Sequence, residues 1–437
     1  MSDWFDGQLA DSIAALNAGV SVNAEDRPHG SGEIGVLKTS AVSGGQFLPD
    51  QNKTVVEHER RLVAEPVQGD SILVSRMNTP ALVGESCYVR EAHPSLFLPD
   101  RLWQLKPKDR AKISMRWMSF VLQSAAYRRH VEVHATGTSG SMKNLPKSKL
   151  LALPVSYPAQ TEQAQIAQIL DTLDTAIYET EAIIAKLKAV KQGLLHDLLT
   201  RGIDANGELR PPQAEAPHLY KKSPLGWIPM EWDIATLQAV STVVTSGSRD
   251  WARFYADSGA LFVRIGNLTR EHINLRFDSS IYVRPPRNAD GQRTRLEPGD
   301  ILISITADLG IVGVVPDGMG DAYINQHIAV VRPNFGAVNP RFVGHYLASP
   351  VAQTYISKLN DAGAKAGLNL PTVRGLLTAR PERSEQDLIA ERLDEIDKRI
   401  QNGAIEAEKL RELKAGLMDD LLTGRVRVTP LLENAAP

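Results

Sequence analysis

The chain has 437 residues and a formal net charge of −2 at pH 7, a length that predicts two or three domains. Its hydrophobic content of 43% and aromatic content of 6% exclude a disordered or fibrous protein. The single cysteine, Cys87, excludes an internal disulfide framework and a four-cysteine zinc site, and it is typical of a reducing compartment. Because no apolar run reaches the ~18 to 20 residues of a membrane span, and the N-terminus carries no signal-peptide pattern, we expect a cytoplasmic protein without a membrane partner.

Positive charge is concentrated in two blocks of the sequence. Residues 27–150 hold 18 Lys and Arg against 11 Asp and Glu, a net of +7, and residues 244–380 hold 15 against 11, a net of +4. Basic blocks of this kind suit a polyanion such as nucleic acid, although domains that bind no polyanion also carry solvated basic surfaces.

In chain order, the first basic block predicts a mixed α/β body. The β-branched run Ser71–Ser75 lies among glycine, proline and asparagine turns, and a helical stretch is predicted over 113–131. Cys87 lies in an apolar stretch over 82–89, which predicts a small core residue and not a nucleophile. A polar loop rich in glycine and serine, 137–144, closes this block.

A long amphipathic helix is predicted next, over 162–200. Its apolar positions alternate steps of four and three residues, which is the pattern of a coiled-coil seam, and a helix of this length would run ~60 Å. The seam residues predicted here are Ile166, Leu170, Leu173, Ile177, Leu187 and Leu194. Prolines in the segment that follows, 204–229, indicate a linker.

The second basic block repeats this order. Strands are predicted over 261–265, 300–305 and 328–331, a helix over 341–359 and a glycine-rich loop over 362–369. A second heptad segment follows, with seam residues Ile389, Leu393, Ile396, Ile400, Leu410 and Leu417. A shift of 223 positions places residues 162–200 on 385–423 with 17 of 39 positions identical, where chance would supply about two or three.

These elements predict an α+β fold with a pseudo-twofold internal repeat. Two mixed α/β globular bodies would be separated by two long helices that form an antiparallel coiled coil, because each helix needs a partner stripe to bury its seam. The alternative is that each helix packs on its own body. Gly193 and Gly416, at matching positions near the helix ends, predict a close approach of the helices. Upstream of the helices, residues 144–146 (Asn-Leu-Pro) repeat as 369–371.

No catalytic signature is found in the sequence. The phosphate-binding loop G-x-x-x-x-G-K-[ST], the zinc motif H-E-x-x-H and the Asn/Asp-Pro-Pro-aromatic motif of amino-methyltransferases are all missing. Asp300 is predicted to be a turn aspartate at the start of a strand and not a nuclease carboxylate. We therefore expect no catalytic residue and no metal ligand in this chain.

The repeat, with Glu162-Gln163 and Glu385-Gln386 at the helix starts, resembles the specificity subunit of type I restriction–modification systems. The segment 223–232 (Ser-Pro-Leu-Gly-Trp-Ile-Pro-Met-Glu-Trp) looks like the opening of a target-recognition domain of that family. The helix ends 194–202 and 417–424 look like its central and distal conserved regions. The first half departs from the pattern, because it starts at Asp3-Trp4 without the Ser-Pro-Leu-Gly-Trp opening.

The resemblance implies the following division of the chain: target-recognition domain 1 at 1–158, a central long helix at 159–203, a linker at 204–229, target-recognition domain 2 at 230–381, a distal long helix at 382–425 and a tail at 426–437.

The resemblance also implies a function. Each globular domain would read one half of a bipartite target in double-stranded DNA, while the paired helices would set the spacing and dock two methyltransferase (modification) subunits. Restriction/translocase subunits would complete the complex. S-adenosylmethionine, ATP and Mg are then expected on the partner subunits, and no cofactor is expected in this chain.

Individual DNA contacts are predicted from residue type and position. Cations in or beside the glycine-rich loops are candidates for phosphate contacts, and polar or basic side chains elsewhere in the bodies are candidates for base readout. The first group is Lys143, Lys147, Lys149, Lys365 and Arg374, and the second is Lys38, Ser40, Arg76, Arg264, Asn267 and Gln326. For each residue, the alternative is an ordinary solvated side chain.

Two other functions stay open at the level of sequence. One is a self-contained restriction endonuclease whose active site has no recognisable motif. The other is a scaffold whose two bodies bind proteins instead of DNA. Steeply salt-dependent binding to duplex DNA would separate the DNA-binding functions from the scaffold.

Overall fold

The computed structural model describes residues 4–137, 141–285, 289–361 and 367–433. The chain forms two compact units, one made of residues 1–180 and 406–437 and the other of residues 181–405. Helices of 41 and 40 residues are present where the heptad segments predicted them. Each long helix contributes its N-terminal part to one unit and its C-terminal part to the other.

The first half of the chain forms strands β1 (Phe5–Gln8), β2 (Ile13–Ala18), β3 (Ala24–Glu25), β4 (Gly35–Leu37), β5 (Val42–Ser43), β6 (Gln46–Phe47), β7 (Asn52–Val55), β8 (Pro66–Val67), β9 (Ser71–Ser75), β10 (Met77–Asn78), β11 (Ser86–Val89), β12 (His93–Phe97), β13 (Leu102–Pro107), β14 (Lys143–Asn144) and β15 (Pro154–Tyr157). Its helices are α1 (Leu9–Ser12), α2 (Met115–Val121), α3 (Ala125–His134), α4 (Lys147–Leu151) and α5 (Gln160–Thr200). We call β1–β15 with α1–α4 the first body.

The second half forms strands β16 (Tyr220–Ser223), β17 (Gly226–Pro229), β18 (Asp233–Thr236), β19 (Ser241–Ser246), β20 (Tyr255–Ala256), β21 (Ala260–Val263), β22 (Tyr282–Val283), β23 (Ile301–Ser304), β24 (Val312–Val314), β25 (Ala322–Ile324), β26 (Ile328–Pro333) and β27 (Leu377–Arg380). Its helices are α6 (Ala289–Arg293), α7 (Pro340–Ala348), α8 (Pro350–Asp361), α9 (Leu370–Gly375), α10 (Arg383–Leu422) and α11 (Thr429–Glu433). We call β16–β27 with α6–α9 the second body.

Both bodies contain the same antiparallel four-stranded sheet. Its order is β11-β9-β13-β2 in the first body and β24-β23-β26-β19 in the second. A further sheet differs between the bodies, with order β3-β7-β4-β12-β8 in the first and β20-β22-β21-β25 in the second, but each version contains one parallel pair, β4–β12 or β21–β25. The two basic blocks therefore share a repeated sheet.

Each unit has a core to which both long helices contribute. In the first unit, Trp117 and Ile72 are buried together with Ile166 of α5 and Leu421 of α10. In the second unit, the corresponding core is built by residues of the second body, by the start of α10 and by the end of α5, including Trp232, Phe342, Ile389, Leu393, Leu195 and Leu198. The start of each helix thus packs on its own body, and the end of the other helix joins the same core.

All twelve predicted seam residues are buried or half-buried. The helices run antiparallel in both units. In the first unit, Asp174 of α5 is bonded to Lys414 of α10. In the second unit, Lys191 of α5 is bonded to Asp397 of α10. The earlier residue Ile184 lies beside Gly403, which is later in α10 than Asp397, as expected for antiparallel helices. The fold is α+β with a pseudo-twofold repeat. The alternative, in which each helix packs on its own body, applies only to the start of each helix.

The glycine prediction is wrong. A Cβ added to Gly193 or Gly416 would meet no atom within 4 Å outside its own helix, so neither glycine allows a close helix approach. The close approach is instead at Gly403, where a Cβ would lie 3.0 Å from Cγ1 of Ile184. Gly403 has no glycine partner in the repeat, because the equivalent position is Thr180, and the comparison of the two halves could not identify it.

The segment predicted as a linker, 204–229, is packed against the rest of the second unit. Arg210 is only 9% exposed, the hydroxyl of Tyr220 donates to the Pro211 carbonyl oxygen at 2.6 Å, and β16 and β17 form a hairpin. The prolines that suggested a linker shape turns within this packed segment. Two other predictions hold, because Cys87 is fully buried and Asp300 is a buried turn residue bonded to Arg332.

Within the described ranges, no helix combines the length and the apolar character needed to cross a membrane.

Candidate nucleic-acid interface

The start of α5 is held by a buried glutamate, Glu162, which is 1% exposed. Its two carboxylate oxygens accept hydrogen bonds from Nε and Nη2 of Arg427, both at 2.8 Å, and one oxygen also accepts from Nε1 of Trp4 at 3.3 Å. Burial alone would raise the pKa of Glu162, but the hydrogen bonds and charge of Arg427 outweigh it and the pKa is lowered. The carboxylate is therefore ionised and ties the N-terminus and the tail of the chain to α5.

The start of α10 is held in the same way by Glu385. It accepts from Nη1 and Nη2 of Arg210 at 2.6 and 3.2 Å, from Nε1 of Trp232 at 3.1 Å and from the backbone N–H of Ile203 at 2.8 Å. The same three residue types form this contact in both units: a Glu at the helix start, a Trp, and an Arg from the segment that follows the other long helix. The identical Glu residues of the sequence repeat are thus explained by a structural contact.

Further repeated polar residues fix each body on its helix. Arg116 bonds Asp171 through Nε at 2.5 Å, and in the second unit Arg341 bonds Asp394 through Nη2 at 2.6 Å. The second unit adds His345, whose Nε2 lies 2.7 Å from an oxygen of Asp394. Burial lowers the pKa of His345 in spite of this carboxylate. These contacts hold each body on its helix and give the matched aspartates of the helices a structural role.

In the first body, a tight turn connects the parallel pair β4–β12 to strand β13. The turn runs from Pro99 to Leu102 and is closed by the N–H of Leu102, which donates to the Pro99 carbonyl oxygen at 3.4 Å. The N–H of Arg76, at the end of β9, donates to the Arg101 carbonyl oxygen at 3.0 Å. Asp100 and Arg101 form the tip of this turn, and both are exposed.

The second body has the same turn, from Asn325 to Ile328, between β25 and β26. The N–H of Ile328 donates to the Asn325 carbonyl oxygen at 3.3 Å, and the N–H of Ile305 donates to the His327 carbonyl oxygen at 3.0 Å. Gln326 and His327 form its tip, and both are half-buried. The equivalence of the two turns is therefore set by matching backbone hydrogen bonds, with Asp100-Arg101 in the place of Gln326-His327.

A glycine seats each turn against the neighbouring strand. A Cβ on Gly19 would lie 1.6 Å from the Leu98 carbonyl oxygen, and a Cβ on Gly247 would lie 1.9 Å from the Asn325 carbonyl oxygen. No other residue fits either position without a shift of the backbone. The turn is thus held from both sides in each body.

The structure places several predicted contact residues around this turn, in an edge of each body that we call the loop edge. It comprises residues 38, 76, 99–101 and 147 in the first body and 264, 305, 325–327 and 374 in the second. Lys38 and Arg264 are equivalent. Lys38 directly follows β4, the parallel partner of β12, and Arg264 directly follows β21, the parallel partner of β25. Lys38 pairs with Asp26 at 2.9 Å, whereas Nε of Arg264 is buried and has no partner among the described residues.

Lys147 and Arg374 are also equivalent in their contacts. Nζ of Lys147 donates to the Leu16 carbonyl oxygen at 2.9 Å, and Nη2 of Arg374 donates to the Val244 carbonyl oxygen at 3.2 Å. Leu16 and Val244 occupy the same position in the repeated sheet, opposite Leu105 and Val331. Both cations are therefore partly engaged by the protein backbone while they add positive charge to the loop edge.

Arg76 stands at the centre of the first loop edge. Its guanidinium lies 5.4 Å from the centre of the Trp103 ring, its Nη1 reaches the Asp100 carbonyl oxygen at 3.5 Å, and its Nε is buried without a partner among the described residues. The N–H of Leu145 donates to the Arg76 carbonyl oxygen, and in the second body the N–H of Leu368 donates to the Ile305 carbonyl oxygen. This pairing corrects the sequence register of the Asn-Leu-Pro motif: Leu145 corresponds to Leu368, at the 223-residue offset of the helices.

The remaining predicted residues lie elsewhere or have other partners. Ser40 bonds the side chain of Gln51 at 3.0 Å, Nζ of Lys143 donates to the Gly137 carbonyl oxygen at 3.1 Å, and Lys149 is exposed on α4. Asn267 is 4% exposed, and its amide accepts from the Arg264 N–H and donates to the Arg276 carbonyl oxygen, so the structure gives it a role in shaping the chain and counts against base readout. Lys365 lies outside the described residues.

Sequence reasoning missed Asp100, Arg101 and His327 of the loop edge, and also Thr306, which follows loop-edge residue 305. Their types are unremarkable in isolation, and only the register of the two sheets aligns Asp100 with Gln326. In the part of the chain that the structure describes, no group of three His, Cys, Asp or Glu side chains is placed to hold a metal ion.

Comparisons with known proteins agree with this architecture. The family model described as "Type I restriction modification DNA specificity domain" matches residues 1–189 and 280–415. A chain assigned as the MjaX type I restriction enzyme specificity subunit of Methanocaldococcus jannaschii is 24% identical over 363 residues, which cover 82% of this chain and 78% of that one. The MjaVIII specificity subunit of the same organism is 24% identical over 284 residues, 64% of this chain and 63% of that one.

Among solved structures, the S subunit of a type I restriction–modification system from M. genitalium superposes with a TM-score of 0.63 at 15% identity, over 96% of each chain. At this identity the likeness shows a shared fold. The family model itself matches well over half of the chain. This protein therefore belongs to the type I restriction modification DNA specificity family.

Proposed function

We propose that this chain is the DNA-recognition subunit of a type I restriction–modification complex, in which each body reads one half of a bipartite target. The observation that supports this most directly is the contrast within the repeat. The contacts that seat the two bodies are repeated, as with Glu162 and Glu385, whereas the tips of the repeated turn differ, with Asp100-Arg101 in one body and Gln326-His327 in the other. Two readers of different sequences on one repeated scaffold require this combination.

We propose further that the paired helices set the spacing between the two half-sites and dock two methyltransferase subunits. Helices α5 and α10 each belong to both units, and their polar faces between the seam positions are exposed. Identical scaffold contacts in the two units would present the same docking features twice, which suits two copies of one partner.

The chemistry of modification and cleavage would belong to partner subunits. S-adenosylmethionine would bind to the methyltransferase subunits, and ATP and Mg to the restriction/translocase subunits, with no cofactor in this chain. A cytoplasmic location is part of the same proposal, because the targets are the DNA of the cell and any DNA that enters the cell.

Duplex DNA binding is expected to depend steeply on salt. The loop edges carry Lys38, Arg76, Lys147, Arg264 and Arg374, and cations that neutralise phosphates release counterions, so affinity falls by a factor of about 10³ between 50 and 200 mM salt if six phosphates are contacted. Fluorescence anisotropy with a labelled duplex, measured with the full chain across this range, reads the slope directly.

A matched control removes positive charge away from the loop edge. The double variant Arg61→Ala and Arg399→Ala, at exposed positions outside it, should leave the slope unchanged, while Lys147→Ala with Arg374→Ala should reduce it by about two. Affinity without salt dependence would favour the protein-binding scaffold. Cleavage or methylation of plasmid by the purified chain with Mg and S-adenosylmethionine alone would favour the self-contained enzyme.

A further inference from the structure

We propose that the two-residue tips of the repeated turn are the base-reading elements: Arg101 of the first tip (Asp100-Arg101) reads a guanine, and Gln326 of the second tip (Gln326-His327) reads an adenine. The inference rests on the proposed function and specifies which side chains carry out the recognition.

The backbone around each tip is held rigidly. Each tip is closed by its own turn hydrogen bond and tied to the end of β9 or β23 by a second bond from Arg76 or Ile305. A glycine that follows the neighbouring strand packs on the chain where each turn begins, Gly19 against Leu98 and Gly247 against Asn325. Side chains that discriminate bases must be fixed to within a fraction of an ångström. In both bodies this turn has the necessary backbone support from its hydrogen bonds and from the neighbouring glycine.

The first tip is suited to bases and not to phosphates. Arg101 is exposed, and its guanidinium presents the fork of donors that matches O6 and N7 of guanine. The neighbouring Asp100 is also exposed, and its carboxylate would repel a phosphate at the same place. A tip with no net charge therefore gains little from the DNA backbone, whereas the base edges offer both acceptors and donors.

The second tip holds its glutamine in a chain of hydrogen bonds. Nε2 of Gln326 lies 2.8 Å from Nε2 of His327, and Nδ1 of His327 lies 2.6 Å from the hydroxyl oxygen of Thr306. An amide nitrogen can only donate, so Nε2 of His327 accepts and its Nδ1–H donates to Thr306. The N–H of His327 also donates to the Asn325 side chain at 3.1 Å, which fixes the start of the turn.

This arrangement leaves the recognition groups of Gln326 available. One N–H of its amide is used by His327, and the second N–H and the side-chain carbonyl oxygen have no partner among the described residues. Those two groups match N7 and the N6 amino group of adenine, the pairing by which glutamine reads A·T in the major groove. Gln326 is thus assigned to base contact, while His327 and Thr306 act as positioning residues.

The test is selection of bound sequences from a randomised duplex DNA library by the full chain assembled with its partner subunits. Wild-type protein should enrich a bipartite sequence. Arg101→Ala should remove the preference for guanine at one position of one half, and Gln326→Ala the preference for adenine at one position of the other half. The affinity for the best wild-type sequence should fall roughly 5- to 150-fold in each case.

Matched controls are Arg61→Ala and Gln238→Ala, which remove the same side-chain types from exposed positions in the same bodies. Arg61 lies in the short 3-10 helix that follows β7. Gln238 precedes β19, and its backbone N–H, which alanine keeps, donates to the Arg374 carbonyl oxygen at 3.0 Å, so the variant removes the side chain without this bond. Both controls should leave the enriched sequence unchanged. Gln326→Glu adds a gain of preference that misfolding cannot produce, because an acceptor-only carboxylate should replace adenine by cytosine at the same position.

The positioning residues are tested separately. Thr306→Val should lower the discrimination between adenine and the other bases at the Gln326 position alone, and Thr306→Ser, which keeps the hydroxyl, should restore it. A merely structural role would weaken binding to every duplex equally and leave the ratio between matched and mismatched duplexes unmoved.

Two results would overturn the assignment of the tips: an enriched sequence that is the same in wild type and in both tip variants, or a uniform loss of affinity for all sequences with a smaller salt slope, which marks a phosphate contact. A wild-type protein that enriches no sequence would overturn the proposed function itself. The two failures are therefore distinguishable.

Discussion

Replacement of Glu385 by alanine is expected to lower the free energy of unfolding of the second unit by about 3–5 kcal/mol. Glu385 is buried and neutralises Arg210, which is 9% exposed and would be left with the exposed Glu231 as its remaining carboxylate partner among the described residues. The variant also removes the acceptors of the Trp232 indole and the Ile203 N–H. A buried charge that loses its partner costs far more than the pair contributed as a whole.

Native-state hydrogen exchange of the backbone amides in β23 and β26 reads the stability of this unit separately from the first. The control is Glu395→Ala on the same helix, since Glu395 is exposed and its salt-bridge partner among the described residues is the exposed Arg399 one turn away. It should change the free energy of unfolding by less than about 0.5 kcal/mol. Equal effects of the two variants would contradict the anchoring role of Glu385.

Lys191→Ala and Lys414→Ala are expected to differ sharply, although the two lysines occupy the same position of the repeat. The side chains of Lys191 and Asp397 are 7% and 2% exposed and lie 2.5 Å apart, and the second carboxylate oxygen of Asp397 has no partner among the described residues. Loss of Lys191 therefore leaves a buried carboxylate without its cation and should cost about 3–5 kcal/mol in the second unit. Loss of Lys414 should cost at most about 1 kcal/mol in the first.

The smaller effect of Lys414→Ala follows from its surroundings. Asp174, its partner, is 35% exposed in its side chain and is also bonded by Nη2 of Arg116 at 3.1 Å. Urea unfolding monitored by hydrogen exchange reports the stability of each unit separately, so the loss caused by each variant can be measured in the unit that it affects. Lys191→Met combined with Asp397→Leu should recover most of the loss, because a buried ion pair can be replaced by apolar residues of similar size. Similar losses for the two single variants would contradict burial as the cause.

The long helices and their seam could be predicted from the sequence because periodic patterns are local. Ile166, Leu170, Ile389 and Leu393 recur at heptad steps, and the repeat supplied the same evidence twice. The identical polar residues carried a second signal, since Glu162 and Glu385 could only be explained once their partners Arg427 and Arg210 were known. Those partners lie far away in the sequence, where no spacing rule connects them.

The candidate contact residues were harder to predict, for two physical reasons. Lys38 and Arg264 lie at the loop edge because each follows a strand. Asn267 was indistinguishable by type from a base-reading asparagine until its hydrogen bonds to the backbone were seen. The turn tips were missed because equivalent loops of different sequence are aligned only by hydrogen bonding. The Arg101 and His327 carbonyl oxygens accept equivalent bonds, yet nothing in their residue types relates them.

The central claim is that each body reads its own half of the target. Its most direct measurement is replacement of residues 244–380 by the corresponding body of another family member, followed by mapping of the DNA sites methylated by the assembled complex. We expect one half of the recognised sequence to change, while the other half and the spacer between them stay the same. A change in both halves, or in neither, would contradict the claim.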